Sequence, residues 1–335
     1  MNITILGAGA WGTAVAISLA GKNNVVLWGR DQAAMQQMQK YRTHPKSLPN
    51  CTLPDSITAT SDFEAALKHC QHDGLLIIGA SVSGLRPLLQ KCLSLKDQYP
   101  LKQVIWLCKG FEEHTHLLPH QVVQEIMGND IAAGALSGPS FALEVAKGLP
   151  CALTIASSSQ ELCHTVVTAL HGPAMRVYST DDVIGVEVGG AVKNILAIAT
   201  GITDGLGLGL NARAALMTRG MAEIGRLCKT LGGRAETLMG LTGLGDLILT
   251  CTGNLSRNRQ VGLALAEGKP LSTIVEELGQ VAEGVRCALA VRALAKLHNV
   301  EMPITDAVAD VLFEGLPAQH AIGRLLARDA KNETA

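Results

Sequence analysis

The chain has 335 residues, too many for one ordinary core and suited to two domains. Charged residues are 17% and hydrophobic residues 47%, which excludes a disordered chain. A formal net charge of −1 excludes a global field for nucleic acid or anionic lipid, and 3% aromatics leave no stacking platform for bases. An anionic substrate must therefore be held by a few local cations. The nine cysteines are odd in number and form no CxxC pair. That argues against a disulfide framework or a zinc ribbon and for a reducing compartment, the cytoplasm. His114 and His116, with His120 nearby, fit a polar loop beside a helix start better than a metal site.

Residues 2–6 (NITIL) predict a short strand. It breaks at Gly7-Ala8-Gly9-Ala10-Trp11-Gly12, and a helical pattern follows to Ala20. This is G-x-G-x-x-G in the strand–turn–helix setting that gives the motif its meaning. Gly7 makes the turn, Gly9 lets a pyrophosphate approach the backbone, and Gly12 lets the helix pack on the strand. The N-terminus has no basic n-region, so these residues are not read as a secretory signal. A second strand runs from Val25 to Trp28 and ends in Gly29-Arg30-Asp31. An arginine there suits a 2′-phosphate, and the alternative is a solvated charge pair with Asp31 capping a helix.

Residues 41–60 read as proline-rich and irregular. Further strands are predicted at 74–79, 103–108, 132–136, 151–156 and near 175–178, most of them separated by helices. Such alternation means a doubly wound, mostly parallel sheet, whose ligands bind off the carboxyl ends of the strands. Lys109-Gly110 directly follows one strand. The segment 137–142 (SGPSFA) follows another and opens a helix, with Ser140 as the expected N-cap.

After Asp182 the β-like runs stop, and everything to Ala335 reads as helix punctuated by glycine. The expected fold is therefore α/β: a Rossmann-like domain over 1–183 and an all-helical domain over 184–335. The helical domain opens with 184–201 (IGVEVGGAVKNILAIATG), an apolar stretch with Lys193 and Asn194 in its middle. Glu187, Gly190, Lys193 and Asn194 fall near one face. A buried ammonium without a partner costs several kcal/mol, so it belongs where its proton is used; the alternative is a lysine whose head snorkels out. The stretch is short and carries a lysine, so no membrane span is expected. Residues 201–209 read as a glycine-rich turn, and 210–233 as an amphipathic helix with a Gly-Gly stop. In 241–262 (LTGLGDLILTCTGNLSRNRQVG), Arg257 and Asn258 at a helix start suit a phosphate, or else form a solvated turn. Asp246 is either a helix cap or a compensating charge. Glu283 is a first-turn acid or an acceptor for a cofactor amide.

The runs GAGAWGTAVA, Cys108-Lys109-Gly110, LSGPSFALEVAKG, VEVGGAVKNILAIATGI, LNARAALMTRGMAEI, LTGLGDLILTCTGNLSRNRQVG and VAEGV resemble, in order, the bacterial-type NAD(P)-dependent sn-glycerol-3-phosphate dehydrogenases. The resemblance implies reduction of dihydroxyacetone phosphate to sn-glycerol 3-phosphate, feeding phospholipid synthesis. It implies Lys193 as proton donor and acceptor, with Asn194 and Thr250 supporting it. It puts substrate contacts at Lys109, Gly138, Ser140, Lys193, Asp246, Ser256, Arg257 and Asn258. Cofactor contacts fall at Trp11, Arg30, Lys109, Ala142, Arg257, Val281 and Glu283, besides the turn from Gly7 through Ala10 to Gly12. The cofactor is NADPH or NADH, with NADP preferred. A homodimer is expected by analogy. The rival readings are a reductase of the 3-hydroxyacid or ketopantoate type, which prefers a carboxylate substrate, and an idle NAD(P)-sensing module.

Overall fold

The computed structural model describes residues 1–44, 46–279 and 282–329. Val281, one of the expected cofactor contacts, lies outside the described residues. The chain divides into two compact units: Met1–Glu112 with Leu117–Glu187, and Glu113–His116 with the residues from Val188 onward. The last of the boundaries between them, Glu187 to Val188, falls inside one helix.

In the first unit, β1 (Asn2–Leu6) leads through α1 (Ala10–Leu19) to β2 (Asn24–Trp28) and α2 (Gln32–Tyr41). The short β3 (Thr43–His44) and β4 (Leu48–Thr52) pair antiparallel. Then follow β5 (Ile57–Thr60), α3 (Phe63–Cys70), β6 (Leu75–Ile78), α4 (Val82–Ser94), β7 (Gln103–Trp106) and α5 (Pro119–Met127). The unit continues with β8 (Ala132–Ser137), α6 (Ala142–Ala146), β9 (Cys151–Ala156), α7 (Gln160–Leu170) and β10 (Met175–Thr180). Eight strands form one sheet in the order β10-β9-β8-β7-β6-β1-β2-β5, parallel except where β8 meets β9.

The central strands β1, β2, β6 and β7 are buried along most of their length because both faces are covered. Ile3, Ile5, Val25, Leu27 and Ile77 pack into one buried cluster. Leu6, Val26, Leu76, Ile78 and Trp106 pack into another. The chain reverses its direction of travel across the sheet between β1 and β6, and the glycine turn follows β1 at that switch point.

Two expectations for this unit are corrected. The stretch 41–60 is not irregular: it holds the β3–β4 hairpin and β5, which extends the sheet by pairing in parallel with β2. Its prolines hid these strands, and β5 (ITAT) is an edge strand with half its face polar. Ser140 does not cap the helix that follows it. The cap position of α6 is Phe141, which makes no side-chain cap, and the Ser140 hydroxyl instead bonds the Gly138 carbonyl at 3.0 Å.

From Val183 onward every regular element among the described residues is helical. Helix α8 (Val183–Gly205) leads to α9 (Gly209–Thr230), α10 (Ala235–Leu238), a π-helical turn at Leu241–Gly245, and α11 (Asp246–Thr252). Next come α12 (Arg257–Ala266), α13 (Leu271–Leu278), α14 (Glu283–Leu297), α15 (Pro303–Phe313) and α16 (Ala318–Leu326). The glycines at 201 and 205 do not break α8, contrary to the expected turn; only residues 206–208 do. They serve a close helix crossing. A Cβ on Gly201 would strike the Cα of Gly262 at 2.9 Å, and one on Gly205 would strike the Ala266 methyl at 2.5 Å. Helix α8 is also longer than expected, at 23 residues. By length and composition it is apolar enough to cross a membrane, but 89% of its most apolar window is buried inside the protein.

Candidate active site

The glycine turn is built by exclusion. Gly7 has φ +131, and a Cβ there would meet the Gly79 carbonyl carbon at 2.6 Å, where β1 and β6 diverge. A Cβ on Gly12 would collide with the Gly7 carbonyl oxygen. Above Gly9 there is open space: an added Cβ meets nothing within 4 Å. Gly9 is the N-cap of α1 and offers no side chain, so the first amides of α1, from Ala10 and Trp11 on, keep their anion-binding potential. Trp11 is half-buried beside this turn. These residues fit a dinucleotide pyrophosphate. The ring of His44 lies 2.8 Å from the Ala8 carbonyl in the same loop, a contact hidden by the misread hairpin.

Arg30 is exposed just beyond β2. Its neighbour Asp31 caps α2, accepting from the Ala34 N–H at 3.0 Å. At the carboxyl ends of β7 and β8, Lys109 and Ser140 converge on one acceptor. Lys109 Nζ donates to the Gly138 carbonyl at 3.2 Å, as the Ser140 hydroxyl does. Gly138 has φ +139 and faces the Ala152 carbonyl at 2.9 Å from a would-be Cβ, so only glycine fits. Ala142 opens α6 and is half-buried. Three expected substrate residues thus gather in this unit.

Lys193 does not snorkel. It is 6% exposed, and its Nζ donates to Asp246 Oδ1 at 2.5 Å and Thr250 Oγ1 at 2.8 Å. Thr250 in turn donates to the Asp246 main-chain carbonyl at 2.6 Å, so its oxygen faces the ammonium as an acceptor. Asp246 is 1% exposed and opens α11 straight after the π-helical turn. Burying both charges costs several kcal/mol per ion, which the short pair and the threonine offset. Such a triad holds a proton-bearing nitrogen in one direction inside an apolar helix bundle.

Asn194 and Asn258 form a second group. Asn258 Nδ2 donates to Asn194 Oδ1 at 2.9 Å, and Asn258 Oδ1 accepts from the Gly284 N–H at 2.9 Å. A Cβ on Gly284 would lie 2.5 Å from the Asn194 carbonyl, so α14 starts against α8 only as glycine. Glu283 stands one residue earlier, in the first turn of α14. Ser256 caps α12 by accepting from Arg259 N–H at 3.2 Å. Arg257 is exposed at the first position of that helix. Its neighbour Arg259 is tied down by Asp204, at 2.9 Å through Nε, and Asp204 also pairs with Arg213 at 2.7 Å. Of the two arginines in the motif, one is structural and one faces solvent.

Three features were not singled out from the sequence. The Asp204 clamp and the role of Gly284 depend on contacts between distant segments. Ser137 keeps a buried hydroxyl with no partner among the described residues. Glu187, marked only for its helix face, is fully engaged: it accepts from the Trp106 indole N–H at 2.9 Å and from the His120 main-chain N–H at 2.9 Å, and pairs with His120 Nδ1 at 2.5 Å. Burial pushes its carboxyl above the usual range, while the bonds from His120 and Trp106 pull it back.

A sequence profile described as NAD-dependent glycerol-3-phosphate dehydrogenase N-terminus matches residues 2–163, and the corresponding C-terminus profile matches residues 182–323. The chain is 64% identical, over the full length of both proteins, to glycerol-3-phosphate dehydrogenase (NAD(P)+) of Herminiimonas arsenicoxydans. It is equally similar, again over both full lengths, to the enzyme of that name from Janthinobacterium sp. (strain Marseille). Among solved structures, glycerol-3-phosphate dehydrogenase from Coxiella burnetii superposes with a TM-score of 0.92 at 43% identity, covering 97% of this chain and 98% of that one. With a glycine turn at the sheet's switch point, a buried lysine–aspartate pair in the helical unit and both profiles matched in order, the chain belongs to the NAD-dependent glycerol-3-phosphate dehydrogenase family.

Proposed function

We propose that this enzyme catalyses the reversible reduction of dihydroxyacetone phosphate to sn-glycerol 3-phosphate, with Lys193 as the proton donor and acceptor. The observation that carries the reading is the buried Lys193 ammonium, held by Asp246 and Thr250. When bound, the nicotinamide supplies or takes the hydride. Lys193 meets the negative charge that grows on the ketone oxygen and gives it a proton. Thr250 and Asp246 fix the direction of Nζ. Asn194 holds α8 to α12 through Asn258. Lys109, with Gly138 and Ser140, adds a second cation and polar contacts for the substrate.

Arg257, with Ser256 and Asn258 at the start of α12, takes the phosphate, where helix amides and a guanidinium fork suit an anion. Three cations against the Asp246 carboxylate leave about two positive charges for a phosphate of about −1.5 to −2. In the first unit, residues 7–12, Arg30, Lys109 and Ala142 hold the cofactor; Arg257, Val281 and Glu283 add to them. NADPH is preferred over NADH because Arg30 offers a cation to a 2′-phosphate. We assign 1–183 to cofactor binding and 184–335 to substrate binding and catalysis.

The nine cysteines, odd in number and eight of them buried, support a reducing, cytoplasmic setting, and the product feeds glycerophospholipid synthesis. Exposed Leu210, Leu297 and Leu326 on the helical unit support a homodimer, which sedimentation equilibrium checks. The deciding experiment follows absorbance of NADPH and NADH with dihydroxyacetone phosphate and with 2-ketoacids. Rapid oxidation with the phosphorylated ketone alone is expected. Turnover of ketoacids instead would favour the hydroxyacid-type reading, and cofactor binding without turnover would favour a sensing module.

A further inference from the structure

Glu187 is 5% exposed, and none of the steps above uses it. Its two carboxylate oxygens tie three elements together. Trp106, the last residue of β7, donates its indole N–H; His120, in the first turn of α5, offers its main-chain N–H and Nδ1; Glu187 itself stands in the second turn of α8. A buried carboxylate is costly even when its donors are met, and an apolar side chain fills the same space without that cost. Packing alone does not explain the choice of glutamate.

The surroundings of Glu187 are those of the working end of the sheet. It lines a narrow pocket at the ends of β7 and β8 together with Lys109, Gly110, Ser137 and Val186. Ser137 brings to that pocket a buried hydroxyl that no described residue satisfies. Lys109 lies three residues beyond Trp106.

We propose that Glu187 is a positioning residue for the reaction. By clamping the end of β7, the start of α5 and the second turn of α8 to one another, it fixes the strand end that carries Lys109. It acts through Lys109 and touches no reactant. The proposal rests on the reading of Lys109 as a working group.

The test compares Glu187→Ala and Glu187→Gln in the full-length enzyme. Turnover is expressed per NADPH-binding site, counted by fluorescence titration, so that a loss of folded protein does not register. In Glu187→Ala, kcat per site is expected to fall about 30-fold or more, the scale of a small misplacement of reacting groups. The dissociation constant for NADPH is expected to stay within about threefold, because the glycine turn is untouched. Glutamine keeps an acceptor for Trp106 and the His120 amide, so Glu187→Gln is expected to recover kcat to within about threefold. Wild-type kcat per site in Glu187→Ala overturns the proposal, and so does an equal loss in both variants, which would put the effect on the charge. Should Glu187→Ala not fold, Trp106→Phe removes one donor alone, and an unchanged kcat per site in it overturns the proposal. Lys193→Ala is the separate control: retained turnover there refutes the functional reading itself, whatever Glu187 does.

Discussion

At the scale of single residues, the site depends on side chains that break the rule of their surroundings. Lys193 is a charge in the middle of a largely apolar helix, and that made it legible. Its partner Asp246 stands 53 positions away, so the pairing is not a matter of spacing; only the chemistry of charge compensation pointed to it. Lys193→Ala is expected to lower turnover by about 10²-fold or more while NADPH titration stays close to wild type; near-normal kcat would remove Lys193 from the mechanism. Arg30 is exposed, and only its place just after the second strand hinted at a role. Arg30→Ala is expected to raise the KM for NADPH about tenfold and the KM for NADH little, since a charged hydrogen bond contributes about 1.5–3 kcal/mol. Equal changes in both would show that it does not read the 2′-phosphate. Asn258 was read as a phosphate donor, yet its amide also bridges Asn194 and Gly284, a role no local pattern reveals.

At the scale of elements, caps and crossings carry the consequences. Helix α15 has no side-chain cap of its own. Glu223 of α9 supplies it, accepting from Ile304 N–H at 2.7 Å and Thr305 N–H at 3.2 Å. Burial pushes the Glu223 carboxyl up to about 7, against the pull of those amide bonds. The folded protein therefore holds a proton there that the unfolded chain has lost above the usual carboxylate range. Stability from this group is full below that range and declines as pH rises through about 7, by about 3 kcal/mol in all. Glu223→Gln is expected to flatten this part of the stability–pH curve in urea titrations at several pH values; an unchanged slope would assign it elsewhere.

The central strands β1, β2, β6 and β7 were readable because burial on both faces makes them nearly continuous apolar runs. The β3–β4 hairpin and β5 were not, because prolines and an edge position disguised them. The run through Gly201 and Gly205 was misread because the glycines answer to α12, about sixty residues away (Gly201 against Gly262), and not to their neighbours.

At the scale of the whole molecule, none of the nine cysteines is joined in a disulfide and eight of them are buried, Cys151 being the half-buried exception. Burial pushes the thiols of Cys92 and Cys251 up to about 12 and that of Cys70 up to about 11. Thiolate is the reactive form, so the folded enzyme is expected to react with about one equivalent of a disulfide reagent, and the denatured chain with all nine. Rapid modification of several thiols in the native enzyme would contradict the packing described.

The last passage of the chain from the first unit to the second falls inside an unbroken helix, between Glu187 and Val188. Most multidomain chains join their modules by a loose tether that a protease clips and a cloner cuts. Here that role falls to a helix whose main-chain amides are already hydrogen-bonded turn upon turn, and severing it means unwinding the very segment that bears Lys193. Neither half is therefore a natural product of nicking, and a gene split at that point would yield two fragments, each with a frayed, greasy stump.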